Sequence, residues 1–90
     1  MLAAVTGRTA AQRLAAFLLA LARAASPHHK QPASRFDLVL TRGEIAALLG
    51  VTIETVSRQL TKLEKDRVIR RERARGIRVE DAARLATLAS

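Results

Sequence analysis

Apolar residues occur in short stretches of different period, and each period predicts an element. Leu14, Phe17, Leu18 and Leu21 stand at i, i+3, i+4 and i+7, one stripe of a helix. Thr9 is placed to cap that helix, which is expected to run to about Ala24. Ala10, Ala15, Ala16, Ala20 and Ala22 give it high propensity and permit close packing. Ser26, Pro27, His28, His29, Pro32 and Ser34 then mark a loop over 25–35. Phe36–Leu40 alternates in part and is rich in strand formers, so a short edge strand is expected there. Ile45, Leu48 and Leu49 share one side of a short helix. Val56, Leu60 and Leu63, at i, i+4 and i+7, form the dry inner face of a second helix over about 53–65. Val68–Arg70 and Ile77–Val79 read as two strands joined by a basic tip, Arg71–Gly76. Leu85 and Leu88 mark a last helix.

The boundaries carry matching chemistry. Thr41-Arg42-Gly43-Glu44 is a capping-box pattern, in which the Thr41 hydroxyl accepts from the Glu44 N–H and the Glu44 carboxylate reaches back. Gly50 is placed to end the short helix in the left-handed region, Val51 suits a buried turn position, and Thr52 caps the next helix. Asp66-Arg67 is expected to turn, and Asp81 to cap the last helix. Gly7 interrupts the helical pattern near the start. The order helix, tight glycine turn, helix, hairpin predicts a mainly α chain with a small antiparallel β wing, a winged helix-turn-helix. Residues 9–90 form that domain.

Composition narrows the function. Ninety residues suffice for one small core. The absence of cysteine excludes disulfides, cysteine-ligated zinc and iron–sulfur clusters. The His28–His29 pair reads as solvated, since no third histidine accompanies it; no metal or other cofactor is expected. The apolar run Leu14–Leu21 is far shorter than the roughly 20 residues of a membrane span, so no membrane partner is expected and a cytoplasmic location is. Lysine and arginine total 16 against 8 acids. Residues 58–78 alone hold nine basic residues and three acids, which suggests a polyanionic partner.

The 53–65 helix also has a wet face. Glu54, Ser57, Arg58 and Thr61 lie at i, i+3, i+4 and i+7, opposite Val56 and Leu63. In a DNA major groove, Arg58 has the geometry to donate two hydrogen bonds to guanine O6 and N7, and Glu54 to accept from a cytosine or adenine amino group. Ser57 is small enough to let the helix approach. Ile53 either covers the turn as core or offers an apolar surface to a thymine methyl. Glu54 equally suits the positive end of the helix dipole, and pairs with Arg58 at i, i+4 in a helix. Lys62, Arg71, Arg73 and Arg75, with Arg70 and Arg78, are candidate phosphate contacts, as are Arg42 and Arg35. Thr41, Thr52 and the adjacent N–H groups are placed to meet phosphates at helix starts, and Thr61 extends the same face. No nucleophile–base pair, converging carboxylates or phosphate-cradling glycine loop points to an enzyme. The alternative is a winged-helix module that binds protein without reading DNA.

Thr52-Ile53-Glu54-Thr55-Val56-Ser57-Arg58-Gln59-Leu60, followed by Leu63-Glu64, resembles the recognition helix of Crp/Fnr-type bacterial transcription regulators. The Glu-x-x-Ser-Arg form is most similar to the Fnr/FixK branch. Val5–Arg8 with Arg13-Leu14 and Leu18–Leu21 resembles the segment after that family's long dimer helix, so residues 1–8 read as the end of an upstream linker or dimer helix. Thr41–Gly50 resembles its first motif helix and Gly76–Val79 its wing. The resemblance implies double-stranded DNA as partner and Glu54, Ser57 and Arg58 as base readers. It also implies palindromic sites with TTGA-like halves, a homodimer in the full-length protein, and contact with RNA polymerase. Family members carry an N-terminal effector domain that this chain lacks, so a C-terminal DNA-binding fragment or a truncated relative is expected. Asp66-Arg67 departs from the family, in which a glycine commonly follows the recognition helix; a strained turn and a phosphate contact by Arg67 are expected there.

Overall fold

The computed structural model describes residues 8–27 and 31–90. The expected break at Gly7, the 1–8 segment apart from Arg8, and the His28–His29 pair lie outside them. Seven elements follow in order: α1 (Ala10–Ala24), β1 (Arg35–Asp37), α2 (Arg42–Leu49), α3 (Ile53–Lys65), β2 (Ile69–Arg71), β3 (Gly76–Val79) and α4 (Ala82–Ala89). The three strands form one antiparallel sheet in the order β1-β3-β2. The expected helix–turn–helix and hairpin are present, and β1 adds a third strand to the wing.

The caps act as their side chains predict. Thr9, Thr41, Thr52 and Asp81 each accept a hydrogen bond from the N–H three residues on. Thr41 and Glu44 form the full capping box, and Thr9 forms a second one with Gln12. Gly50 ends α2 at φ 72°. Arg13 of α1 locks that end, its Nη1 donating to the Leu49 carbonyl at 2.9 Å. A cation at a helix C-terminus also meets the negative end of the helix dipole.

Arg67 closes α3. Its N–H donates to the Glu64 carbonyl and that of Val68 to the Leu63 carbonyl, the paired bonds of a Schellman ending. That ending needs the left-handed conformation, and Arg67 adopts it at φ 61°. A side chain there is strained, as expected from the missing glycine. Arg67→Gly should therefore raise stability by about 0.5–1 kcal/mol, the relieved strain exceeding the added freedom of the unfolded chain. Urea unfolding is the check; a loss of stability would mean that the Arg67 side chain contributes native contacts larger than its strain.

Three expectations are corrected. The buried face of α1 is Leu14, Ala15, Leu18, Leu19 and Ala22, while Phe17 and Leu21 are only half-buried. The small alanines admit α4 closely, and its approach rotates the stripe. On α2, Ile45 and Ala46 are buried, whereas Leu48 remains 62% exposed. A helix of eight residues wedged between α1 and α3 turns only a narrow face inward. The strands are offset too: β1 ends at Asp37 and leaves Val39 exposed, and β2 includes Arg71. Gly76 belongs to β3 rather than to the hairpin tip. The α3 inner face is as expected, with Val56, Leu60 and Leu63 buried in a core completed by Leu14, Leu18, Ile45, Val68, Ile69, Ile77 and Leu85.

Candidate nucleic-acid interface

Burying one side of α3 fixes what the other side presents. Ile53, Glu54, Arg58 and Thr61 are exposed, and Ser57 is half-buried. Ile53 is 53% exposed, so it does not enter the core; its Cδ1 lies over Gly43, 3.6 Å from where a Cβ would stand. Arg58 Nη2 donates to Thr55 Oγ1 at 3.4 Å, a long bond, and not to Glu54. The Glu54–Arg58 ion pair allowed by their spacing is not formed. Both groups therefore keep most of their hydrogen-bonding capacity for an external partner. Thr52 does not: its hydroxyl accepts from the Thr55 N–H at 3.1 Å and donates to Thr55 Oγ1 at 2.9 Å.

The N-terminus of α2 faces the wing. Thr41, Arg42, Arg71 and Arg75 line one cleft of about 250 Å³, with Leu38 and Leu40 among its apolar walls. The structure thus brings together four candidate phosphate contacts that lie up to 34 positions apart in the chain. The Thr41 hydroxyl accepts from the Glu44 N–H at 3.1 Å, and the Glu44 carboxylate accepts from the Thr41 N–H at 2.8 Å. The Arg42 and Gly43 N–H groups are left as the donors of the first turn.

The basic residues are not equivalent. Arg71 is half-buried, and its Nε and Nη2 donate to Glu64 Oε1 at 3.0 and 2.8 Å. The hydrogen-bonded Arg71 guanidinium lowers the Glu64 carboxyl from its ordinary value, against the opposing effect of burial. Lys62 pairs with Asp66 at 3.5 Å, both groups largely in water, so the pair is weak. Arg35 and Arg78 are each held by Glu72 at 2.8 Å. Arg42, Arg58, Lys65, Arg67, Arg73 and Arg75 are exposed and make no ion pair among the described residues. Sequence reasoning grouped Arg35, Arg42, Lys62, Arg70, Arg71, Arg73, Arg75 and Arg78 as phosphate contacts and assigned no partner role to Glu72, Glu64 or Arg13. For Glu64 and Arg71 a signal existed in their positions flanking a predicted turn; for Arg13 none did.

Residues 12–88 match the family described as Crp-like helix-turn-helix domain. The chain is 47% identical over 83 residues to a probable transcriptional activator of Rhizobium leguminosarum bv. viciae, covering 92% of this chain and 34% of that protein. It is 43% identical over 81 residues to the transcriptional activator protein FnrL of Cereibacter sphaeroides, covering 87% of this chain and 33% of that one. The solved structure of FixK2 from Bradyrhizobium japonicum superposes with a TM-score of 0.80 at 34% identity, over 92% of this chain and 39% of that chain. The chain thus spans about a third of the length of the curated relatives it matches. From the sequence match, the fold and the seated α2–α3 pair together, this chain belongs to the Crp-like helix-turn-helix family.

Proposed function

We propose that the domain binds double-stranded DNA sequence-specifically, as part of a bacterial transcription regulator, with α3 in the major groove. The carrying observation is the exposed face of α3: Glu54 and Arg58 stand side by side on a firmly seated helix, without pairing to each other. A buried inner face holds the helix rigid, so the outer side chains are presented in a fixed frame. Arg58 then reads guanine, Glu54 a cytosine or adenine amino group, and Ser57 allows close approach. Ile53, exposed over the α2 start, offers its apolar surface to a thymine methyl. Thr41 and Arg42 at the α2 start, with Arg75 across the cleft, grip the backbone of one strand; Arg73 extends the grip along the wing. Thr52, Thr61, Lys62 and Arg71 contribute at the edges, Lys62 and Arg71 on leaving or sharing their acidic partners.

The site in this reading is a palindrome with TTGA-like halves, bound by two copies of the domain about one helical turn apart. In this reading the full-length protein also contacts RNA polymerase; two relatives are named as transcriptional activators. Among the described residues no helix is long and apolar enough to cross a membrane, and no group of carboxylates or histidines is placed to hold a metal ion.

Binding measured across a salt series, on a TTGA-type palindrome and on a scrambled duplex of equal composition, tests the proposal. Preference for the palindrome is expected; equal affinity for both at physiological salt would overturn specific recognition. Arg73→Ala should weaken both duplexes alike and lower the slope of log affinity against log salt by about 1. Loss on the palindrome alone would instead make Arg73 a base reader.

A further inference from the structure

Three arginines stand in one row across the wing. The register sets Arg35 of β1 opposite Arg78 of β3, and Arg78 opposite Arg70 of β2. Residues directly opposite share a face, and like charges in that relation repel. The next row on the same face pairs Asp37 with Gly76, and the Glu72 N–H donates to the Gly76 carbonyl at 2.8 Å. An acidic row therefore lies beside the basic one, with a glycine at its centre.

Glu72 gathers two of that row. Its Oε1 accepts from Arg35 Nε and its Oε2 from Arg78 Nε, both at 2.8 Å; Arg35 Nη1 also pairs with Asp37 at 3.2 Å, and Arg70 lies nearer Glu80, at 3.6 Å, than Glu72, at 3.9 Å. Arg35 reaches Glu72 by crossing over Gly76: a Cβ there would stand 2.5 Å from Arg35 Nη2 and 3.2 Å from its Cζ. The Gly76 φ is not positive, so the room above it, rather than backbone conformation, is what glycine supplies. Arg73 and Arg75, on either side of the hairpin turn, stay outside the network.

We infer that Glu72 is the internal counterion of the wing, a positioning residue that holds Arg35 and Arg78 on the sheet and leaves phosphate contact to Arg73 and Arg75. The inference rests on the reading that the wing meets DNA phosphates. Its consequence is a limit on sequence-independent affinity. Sequence-independent affinity grows with every phosphate neutralised, whereas base readout by α3 does not. Sequestering two of the wing's cations keeps the indifferent term small.

Glu72→Gln keeps the shape and removes the charge. It should steepen the salt slope on the scrambled duplex by about 1–2, as freed guanidinia neutralise further phosphates at roughly 0.9 each. Both duplexes should gain affinity alike, and elution from a heparin column should move to higher salt. Glu72→Asp keeps the charge and should stay near the original protein in all three. Circular dichroism on both variants verifies folding. In the original protein the Nε–H protons of Arg35 and Arg78 should be visible and slow to exchange by NMR, and fast in Glu72→Gln. An unchanged slope and heparin elution, or Glu72→Asp behaving like Glu72→Gln, would overturn the inference. Failure of the original protein to prefer the palindrome would overturn the base-reading proposal instead, and the heparin and NMR results would still decide the role of Glu72.

Discussion

Leu60→Ala is expected to cost about 2–5 kcal/mol, out of a total stability on the order of 5–10 kcal/mol for a domain of this size. Leu60 has no exposed surface and lies in the middle of the α3 inner face, between Val56 and Leu63. Truncating it removes apolar burial and leaves a void that the surrounding helices and sheet close only in part. Urea unfolding followed by circular dichroism should show a lowered midpoint with an unchanged slope. Leu48→Ala is the matched control: the same chemical change, at an exposed site, should cost within about 0.5 kcal/mol. Equal effects at both positions would contradict the arrangement in which α3 is seated from one side only.

Arg58→Ala should leave stability nearly unchanged and reduce discrimination between the palindrome and the scrambled duplex by about 1–3 kcal/mol, roughly 5- to 150-fold. The Arg58 side chain makes one long hydrogen bond to Thr55 within the domain, so little native structure depends on it. Its loss should act on the correct site and spare the scrambled one, apart from one phosphate's worth of general attraction. A parallel fall on both duplexes would place Arg58 on the backbone and remove it from base readout. Comparison with Arg73→Ala makes the two roles separable in one set of titrations.

The parts of the fold read most directly from sequence are those in which cause and effect lie within four residues. The Thr41–Glu44 box, the left-handed Gly50, the Asp81 cap and the Val56–Leu60–Leu63 face are local, and each is present. The strain at Arg67 was legible only through the family resemblance, in which a glycine commonly stands there. What sequence missed depends on neighbours distant in the chain. The rotation of the α1 face comes from α4, some 60 residues later in the sequence. The exposure of Leu48 follows from how little of α2 its two neighbouring helices cover. The division of arginines into held and available depends on strand register, since Arg35 meets Glu72 only once β1 and β2 flank β3. The candidate base readers were legible because one helix carries them all; the clustering of Thr41, Arg42, Arg71 and Arg75 was not, because the fold assembles it.

The α1–α4 seam has a consequence for attachment. Arg8 Nη2 donates to the Ala89 carbonyl at 2.6 Å, and Gln12 Nε2 to the Ser90 carbonyl at 2.7 Å, so the start of α1 and the end of α4 are stitched together. Within the fold, α4 packs principally on α1, and α1 in turn on α3. A tether joined directly at Arg8 and one joined after Ser90 would therefore leave from the same corner. Domains joined at those two points would start from one place on the surface.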